Sequence, residues 1–292
     1  MINILVTGSN GQLGNELRKL VKVSDDCNFV FTDIAELDIT NPAAIEALMQ
    51  AENIAVIINC AAYTAVDKAE TDTVAAYRIN RDAPGYLAAT ALKFNAILVH
   101  VSTDYVFSGE GFRPYTENSS TDPRSTYGMS KLKGEMAVID SGCRHIIIRT
   151  SWLYSAFGNN FIKTVRKYGR ERGHLNMIYD QIGTPTHAAD LALAIMAIIP
   201  QYDDNKCGIY HYSNEGVCSW YDFALEIIAQ SGITCTVAPI NTEEYPLPAV
   251  RPFYSVLNKG KLKHTFNIKI PYWKDSLTRC LKELEEIETT AL

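Results

Sequence analysis

The chain has 292 residues, 47% hydrophobic and 21% charged, with a formal net charge of -6. That length suits one large domain or two small ones, and the near-average composition excludes a disordered, collagen-like or coiled-coil chain. The acidic balance argues against nucleic acid as a partner, because phosphate binding needs a clustered basic face; the basic runs at 166–172 and 259–263 read as solvated faces.

Ile2 to Thr7 is a continuous apolar run, as expected of a strand buried on both faces. A glycine-rich turn follows, then a helix from about Gln12 to Val23. Asn28 to Thr32 reads as a second strand, Pro42 opens a helix at its first turn, and Ile54 to Cys60 is a third buried strand. A helical stretch from about Thr71 to Phe94 precedes a fourth strand, Ala96 to Ser102. A helix around Tyr127 to Asp140 and a fifth strand, His145 to Thr150, complete the first half. Repeated β-α-β order predicts an α/β fold: a Rossmann-type, doubly wound parallel sheet with helices on both faces.

Beyond residue 150 the pattern loosens. Asn176 to Tyr179 and a helix from Ala188 to Ile199 are expected to return to the sheet. Ser219 caps a helix running to about Gln230, the proline-rich 241–252 segment reads as irregular, and Lys274 to Ile287 reads as a closing helix. The aromatic residues from Tyr210 to Tyr221 are expected in the core of a smaller lobe. The predicted organisation is a dinucleotide-binding domain over 1–150, to which 174–205 returns, and an interwoven substrate-binding lobe over most of 151–292.

Seven scattered cysteines without a C-x-x-C pair read as reduced, mostly buried thiols, and no histidine spacing suggests a metal triad. The longest apolar stretch, Leu191 to Pro200, is too short to span a bilayer, and the first strand begins without a charged leader region. A cytoplasmic location without a membrane partner is expected.

Gly8-Ser9-Asn10-Gly11-Gln12-Leu13-Gly14 is a G-x-x-G-x-x-G turn placed directly between a strand and a helix. Glycine suits this place because the turn is tight, a pyrophosphate must approach the backbone, and the helix must pack on the strand. Asp33, 19 residues past Gly14, stands where a carboxylate accepts from an adenine ribose hydroxyl, which would favour NAD over NADP; a plain loop aspartate is the other reading. Asp67, Lys68 and Glu70 read as a charged loop or helix start.

Tyr127 and Lys131 form Y-x-x-x-K, so at helical spacing both side chains share one face. A free phenol shuttles protons poorly at neutral pH, and a nearby cation stabilises the phenolate. Ser102 and Thr103 follow the fourth strand, at the sheet edge where open α/β folds bind ligands, and a hydroxyl there can bond a substrate oxygen.

These elements together resemble the extended short-chain dehydrogenase/reductase family, and within it the dTDP-4-dehydrorhamnose reductase branch. The resemblance is carried by Val6 to Gly14, Leu37 to Thr40, Asn59 to Glu70, Ser102 to Phe107, Tyr127, Gly128 and Lys131. It continues through Arg149 to Tyr154, Gly158 to Phe161, Asp180, Gln181, Gly183, Pro185, Arg251, Pro252, Ser255, Leu257 and Asn258.

The resemblance implies that Gly11, Gln12 and Leu13 hold the pyrophosphate and that Asp38 and Ile39 line the adenine end. It places Ala61, Ala62, Tyr63 and Thr64 by the nicotinamide-side ribose, Thr103 and Asp104 on the sugar, and Trp152 against it. Tyr63 departs from the histidine more common there. The implied reaction is reduction, by NADPH or NADH, of the C4 ketone of dTDP-4-dehydro-L-rhamnose. Tyr127 would be the proton donor, with Lys131 lowering its pKa and binding the ribose. The same resemblance raises magnesium and a homodimer, since some relatives are metal-bridged dimers. Two alternatives stand: another nucleotide-sugar reductase or epimerase, and a non-catalytic, cofactor-binding regulatory subunit like the β subunit of methionine adenosyltransferase.

Overall fold

The computed structural model describes residues 1–21 and 26–290; the expected end of the first helix at Val23 lies outside the described residues. In chain order the first half runs β1 (Ile2–Thr7), α1 (Gln12–Leu20), β2 (Cys27–Thr32), α2 (Pro42–Ala51) and β3 (Val56–Asn59). Short helices α3 (Val66–Ala69) and α4 (Thr73–Tyr77) lead through one π turn, Arg78–Asp82, into α5 (Ala83–Lys93). Then follow β4 (Ile97–Thr103), α6 (Thr126–Asp140) and β5 (Arg144–Thr150). Local chemistry sets several of these limits. Asn41 caps α2 by accepting from the Ala44 N–H, with Pro42 at the first position where its missing N–H costs nothing.

The second half holds β6 (Leu153–Tyr154), α7 (Phe161–Arg172), β7 (His174–Ile178), β8 (Ile182–Gly183), β9 (Thr186–His187) and α8 (Ala188–Ile198). It ends with β10 (Gly208–His211), β11 (Cys218–Ser219), α9 (Trp220–Gln230), β12 (Thr236–Ile240), α10 (Gly260–Phe266) and α11 (Trp273–Thr290). Ser219 caps α9 in a reciprocal capping box with Asp222.

Six parallel strands form the main sheet in the order β2-β1-β3-β4-β5-β10. The order reverses between β1 and β3, the switch point where such sheets leave a crevice at their carboxyl ends. One face buries Ile4, Val6, Val56, Ile58 and Ile146 beneath Leu13 and Leu17 of α1 and Leu191, Ile195 and Ile198 of α8. The other buries Leu5, Ile57, Leu98 and Ile147 beneath α2, α5 and α6. Burial on both faces explains the unbroken apolar strands, each Leu or Ile contributing about 1.5–3 kcal/mol.

Two elements depart from their sequence reading. β7 pairs in parallel with β12 in a small sheet of its own, outside the main sheet, whereas α8 lies on α1. Tyr210, expected in the lobe, is instead in β10, the sixth strand of the main sheet, opposite Ile148. The lobe core gathers Tyr154 from β6 with Ile162, Val165, Phe223, Ile227, Trp273 and Leu277 from α7, α9 and α11.

Candidate active site

The crevice at the switch point is a cavity of about 540 Å³. The backbone of the β1–α1 turn depends on its glycines. Gly8 has φ +61°, and a Cβ there would lie 2.7 Å from the Ala61 backbone; one at Gly14 would lie 2.4 Å from Ser9. Gly11 precedes α1 with no side-chain cap and no acidic residue in the first turn, so the helix presents unpaired N–H groups and the positive end of its dipole. Gly8, Gly11, Gln12 and Leu13 line the cavity, while Gly14 packs on Ser9.

Asp33, Asp38 and Ile39 line the far end of the same cavity. The Asp33 carboxylate accepts from the Asn10 N–H at 3.0 Å and the Ile34 N–H at 2.8 Å, so it also braces the glycine turn. Thr40 donates its hydroxyl at 2.7 Å and its N–H at 2.9 Å to Asp38, holding that carboxyl below the usual carboxylate range. Ala61, Ala62 and Thr64 line the near side; Tyr63 faces away from it, its phenol donating to Asp72 at 3.1 Å. Asn80, buried in the π turn, clamps the Tyr63 backbone by accepting from its N–H at 2.8 Å and donating to its carbonyl at 3.0 Å. Sequence reading missed Asn80, and a lone asparagine in a helical pattern carries no signal for such a role. It also missed Cys60, which lines the cavity; burial pushes its thiol up to about 12. All seven cysteines are free, three buried and four half-buried.

α6 begins where two anchors meet. Ser125 caps it by accepting from the Gly128 N–H, and Glu70 accepts from the N–H and hydroxyl of Thr126, each at 2.8 Å. Gly128 sits so close to the Tyr105 carbonyl that a Cβ would come within 2.3 Å. Tyr127 is therefore fixed at the mouth of the sheet, half-buried, with Tyr105 edge-on to its ring at 5.5 Å. Burial pushes its phenol up to about 12, a Thr103 hydrogen bond opposing and the Asp104 charge reinforcing. Lys131, one turn on and 2% exposed, donates to the Val101 carbonyl at 2.7 Å, and burial draws it down to about 8. Lys131 follows Tyr127 by four residues in α6, so the two side chains leave the helix on one face.

Thr103 ends β4, its hydroxyl donating to Asp104 at 3.0 Å and accepting from the Tyr105 N–H at 3.2 Å. Asp104 is buried with one carboxylate oxygen unpartnered, and burial raises it to about 6. Ser102 faces the other way, donating to Glu135 at 2.5 Å. Trp152 has φ +46°, a conformation a bulky side chain adopts only under constraint. It stacks on Trp220 at 3.5 Å, and Gly183 leaves room for its ring. The lobe is tied across the cleft by Asn160 donating to Gln12 at 3.0 Å and by Arg251 forking Asp67 at 3.0 and 2.7 Å. A second cavity of about 250 Å³, beside Arg251, is lined by Gln181, Thr242, Tyr245, Leu247 and Phe253.

Among the described residues one group could offer three ligands to a metal: Glu16, His187 and Glu283, within 4.8 Å of one another. Lys19 already donates to Glu16 at 2.8 Å and Glu283 at 2.6 Å, and burial keeps the His187 imidazole neutral. Magnesium prefers an octahedron of oxygens, so this nitrogen-containing set, occupied by an internal ammonium, does not fit it. Among the described residues, no helix is long and apolar enough to cross a membrane.

Residues 2–286 match the family described as the RmlD substrate binding domain. A dTDP-4-dehydrorhamnose reductase from Aggregatibacter actinomycetemcomitans is 38% identical over 286 residues, covering 95% of this chain and 97% of that one. A solved dTDP-4-dehydrorhamnose reductase from Clostridium acetobutylicum superposes with a TM-score of 0.93 at 43% identity, over 97% of this chain and 100% of the other. Another, from Bacillus anthracis in complex with NADP, gives 0.93 at 38% identity over the same shares. Fold, glycine turn and Y-x-x-x-K helix thus coincide with a match along almost the whole sequence, and the chain belongs to the RmlD family, that of the dTDP-4-dehydrorhamnose reductases.

Proposed function

We propose that the protein reduces the C4 ketone of dTDP-4-dehydro-L-rhamnose to dTDP-L-rhamnose with NADPH or NADH. The observation that carries this reading is the meeting of two features at one sheet edge. An uncapped helix start opens on the switch-point cavity, and Lys131 reaches two residues that line it, Val101 and Cys60, with Tyr127 one turn before it on α6 and Thr103 bonded to the Tyr127 phenol. Residues 1–150 with α8 and β10 would form the cofactor half, and most of the remainder the substrate lobe.

The reduced nicotinamide, when bound, supplies the hydride to C4. Gly11, Gln12 and Leu13 would hold its pyrophosphate by backbone N–H groups; Ala61, Ala62 and Thr64 would flank the nicotinamide-side ribose, with Asp38 and Ile39 at the adenine end. As the carbonyl electron pair moves onto oxygen, Tyr127 gives that oxygen its proton, and Thr103 donates a hydrogen bond to the same atom. Lys131, charged, would meet the ribose and stabilise the phenolate left behind. Asp104 offers its free oxygen to a sugar hydroxyl, and Trp152 packs against the sugar. The aromatic cavity beside Arg251 suits the thymidine diphosphate end. Oxidation of NADPH and of NADH, followed separately by absorbance with dTDP-4-dehydro-L-rhamnose, tests the assignment. Absence of oxidation with both cofactors overturns it.

A further inference from the structure

Glu135 lies four residues past Lys131 and eight past Tyr127, on the same side of α6. Its carboxylate is 1% exposed and has three donors: Ser102 Oγ at 2.5 Å, Arg149 Nε at 2.9 Å and Arg149 Nη2 at 2.6 Å. Arg149 is itself 2% exposed on β5. Burying such a pair costs desolvation that its attraction barely offsets, so stability alone is a poor reason for it. Its position offers a better one.

Lys131 is a buried ammonium, and burial disfavours its charge. The groups that face it come from four elements. The end of β3 supplies the Cys60 thiol, and β4 supplies His100, kept neutral by burial and with an unpartnered Nε2. On α6 stand the Tyr127 phenol and Glu135, and from β5 the Arg149 guanidinium lies behind Glu135. Glu135 is the anion of the set. Its attraction is the first cause opposing the downward pull of burial on Lys131.

We propose that Glu135 is a positioning residue for the reduction: oriented by Arg149 and Ser102, it keeps Lys131 an ammonium beside Tyr127 and the cofactor. This rests on the reductase reading above. The arrangement also accounts for Ser102, whose hydroxyl serves Glu135 and faces away from the cavity.

The test is kcat/KM against pH, with NADPH and dTDP-4-dehydro-L-rhamnose, for the wild type, Glu135→Gln, Glu135→Asp and Arg149→Gln, with NADPH affinity measured across the same range by fluorescence. The basic limb should move down by about one pH unit or more in Glu135→Gln, so that rate at high pH falls about tenfold more than rate at low pH. Glu135→Asp should keep the limb in place. Arg149→Gln, which leaves the buried Glu135 without the cation that orients it and holds its charge, should move it down as well. A Glu135→Gln enzyme slowed by one factor at every pH overturns the proposal, because loss of packing alone does that. If Glu135→Gln does not fold, Arg149→Gln decides: a limb that stays in place or rises overturns the proposal. A wild type that binds NADPH without oxidising it overturns the reductase reading instead, and the pH dependence of NADPH affinity in the variants then decides the role of Glu135.

Discussion

A phenol raised to about 12 keeps its proton across the neutral range, so Tyr127 is ready to donate, and the group whose charge changes at working pH is Lys131, at about 8. Activity should therefore be level through neutrality and fall as pH rises through about 8, a loss visible in kcat/KM against pH. Tyr127→Phe should lose about 10²–10⁴-fold in kcat while NADPH titration shows affinity retained. Asp104 pulls the other way on stability. Its carboxyl is raised from 3.8 to about 6, so its ionised form is penalised in the fold, and stability from this group is lost as pH rises between those values. Asp104→Asn should accordingly raise Tm above about pH 6 and raise KM for the sugar, the exchange expected when a binding group is held in strain. An unchanged Tm in that variant would contradict the buried, ionised carboxylate.

The segments that were plain in the sequence are those whose causes are local. β1, the glycine turn and the start of α1 were legible because apolar run, glycine spacing and helix periodicity are all written within Ile2 to Leu20. Ser219 and Pro42 announced their helices for the same reason. The rest depends on partners far along the chain. β7 finds β12 some sixty residues later, and four-residue β10 finds β5 at a similar remove, so neither pairing has a local signature. The π turn at Arg78–Asp82 interrupts a helix whose pattern reads as continuous, yet it places Asn80 against the 61–64 loop and Ser130. Asn80→Ala should leave the Tyr63 N–H and carbonyl without these partners, costing about 1–3 kcal/mol in denaturant unfolding and raising KM for NADPH more than KM for sugar.

At the scale of the whole molecule, the cleft is spanned by a few side-chain ties between sheet half and lobe. Asp67, which reads in the sequence as part of a charged loop or helix start and stands in the first turn of α3, is one end of such a tie, and nothing near it in the chain points to Arg251 184 residues away. The pair is half exposed, so Arg251→Met should change Tm little, the pair contributing about 1 kcal/mol or less, while KM for the nucleotide sugar rises. A large fall in Tm would mean that the tie holds the lobe itself.

The sixth strand also governs how the chain can be made. β5 is complete at Thr150, but its outer edge is covered by β10, which ends at His211. A ribosome releasing the chain from its N-terminus therefore exposes a five-stranded sheet that ends on the seven-residue β5 until some sixty further residues bring up the four-residue β10, a shorter edge. That interval is the point in the protein's life at which the parallel sheet can recruit a neighbour's strand, and it is the stage at which a chaperone has most to protect.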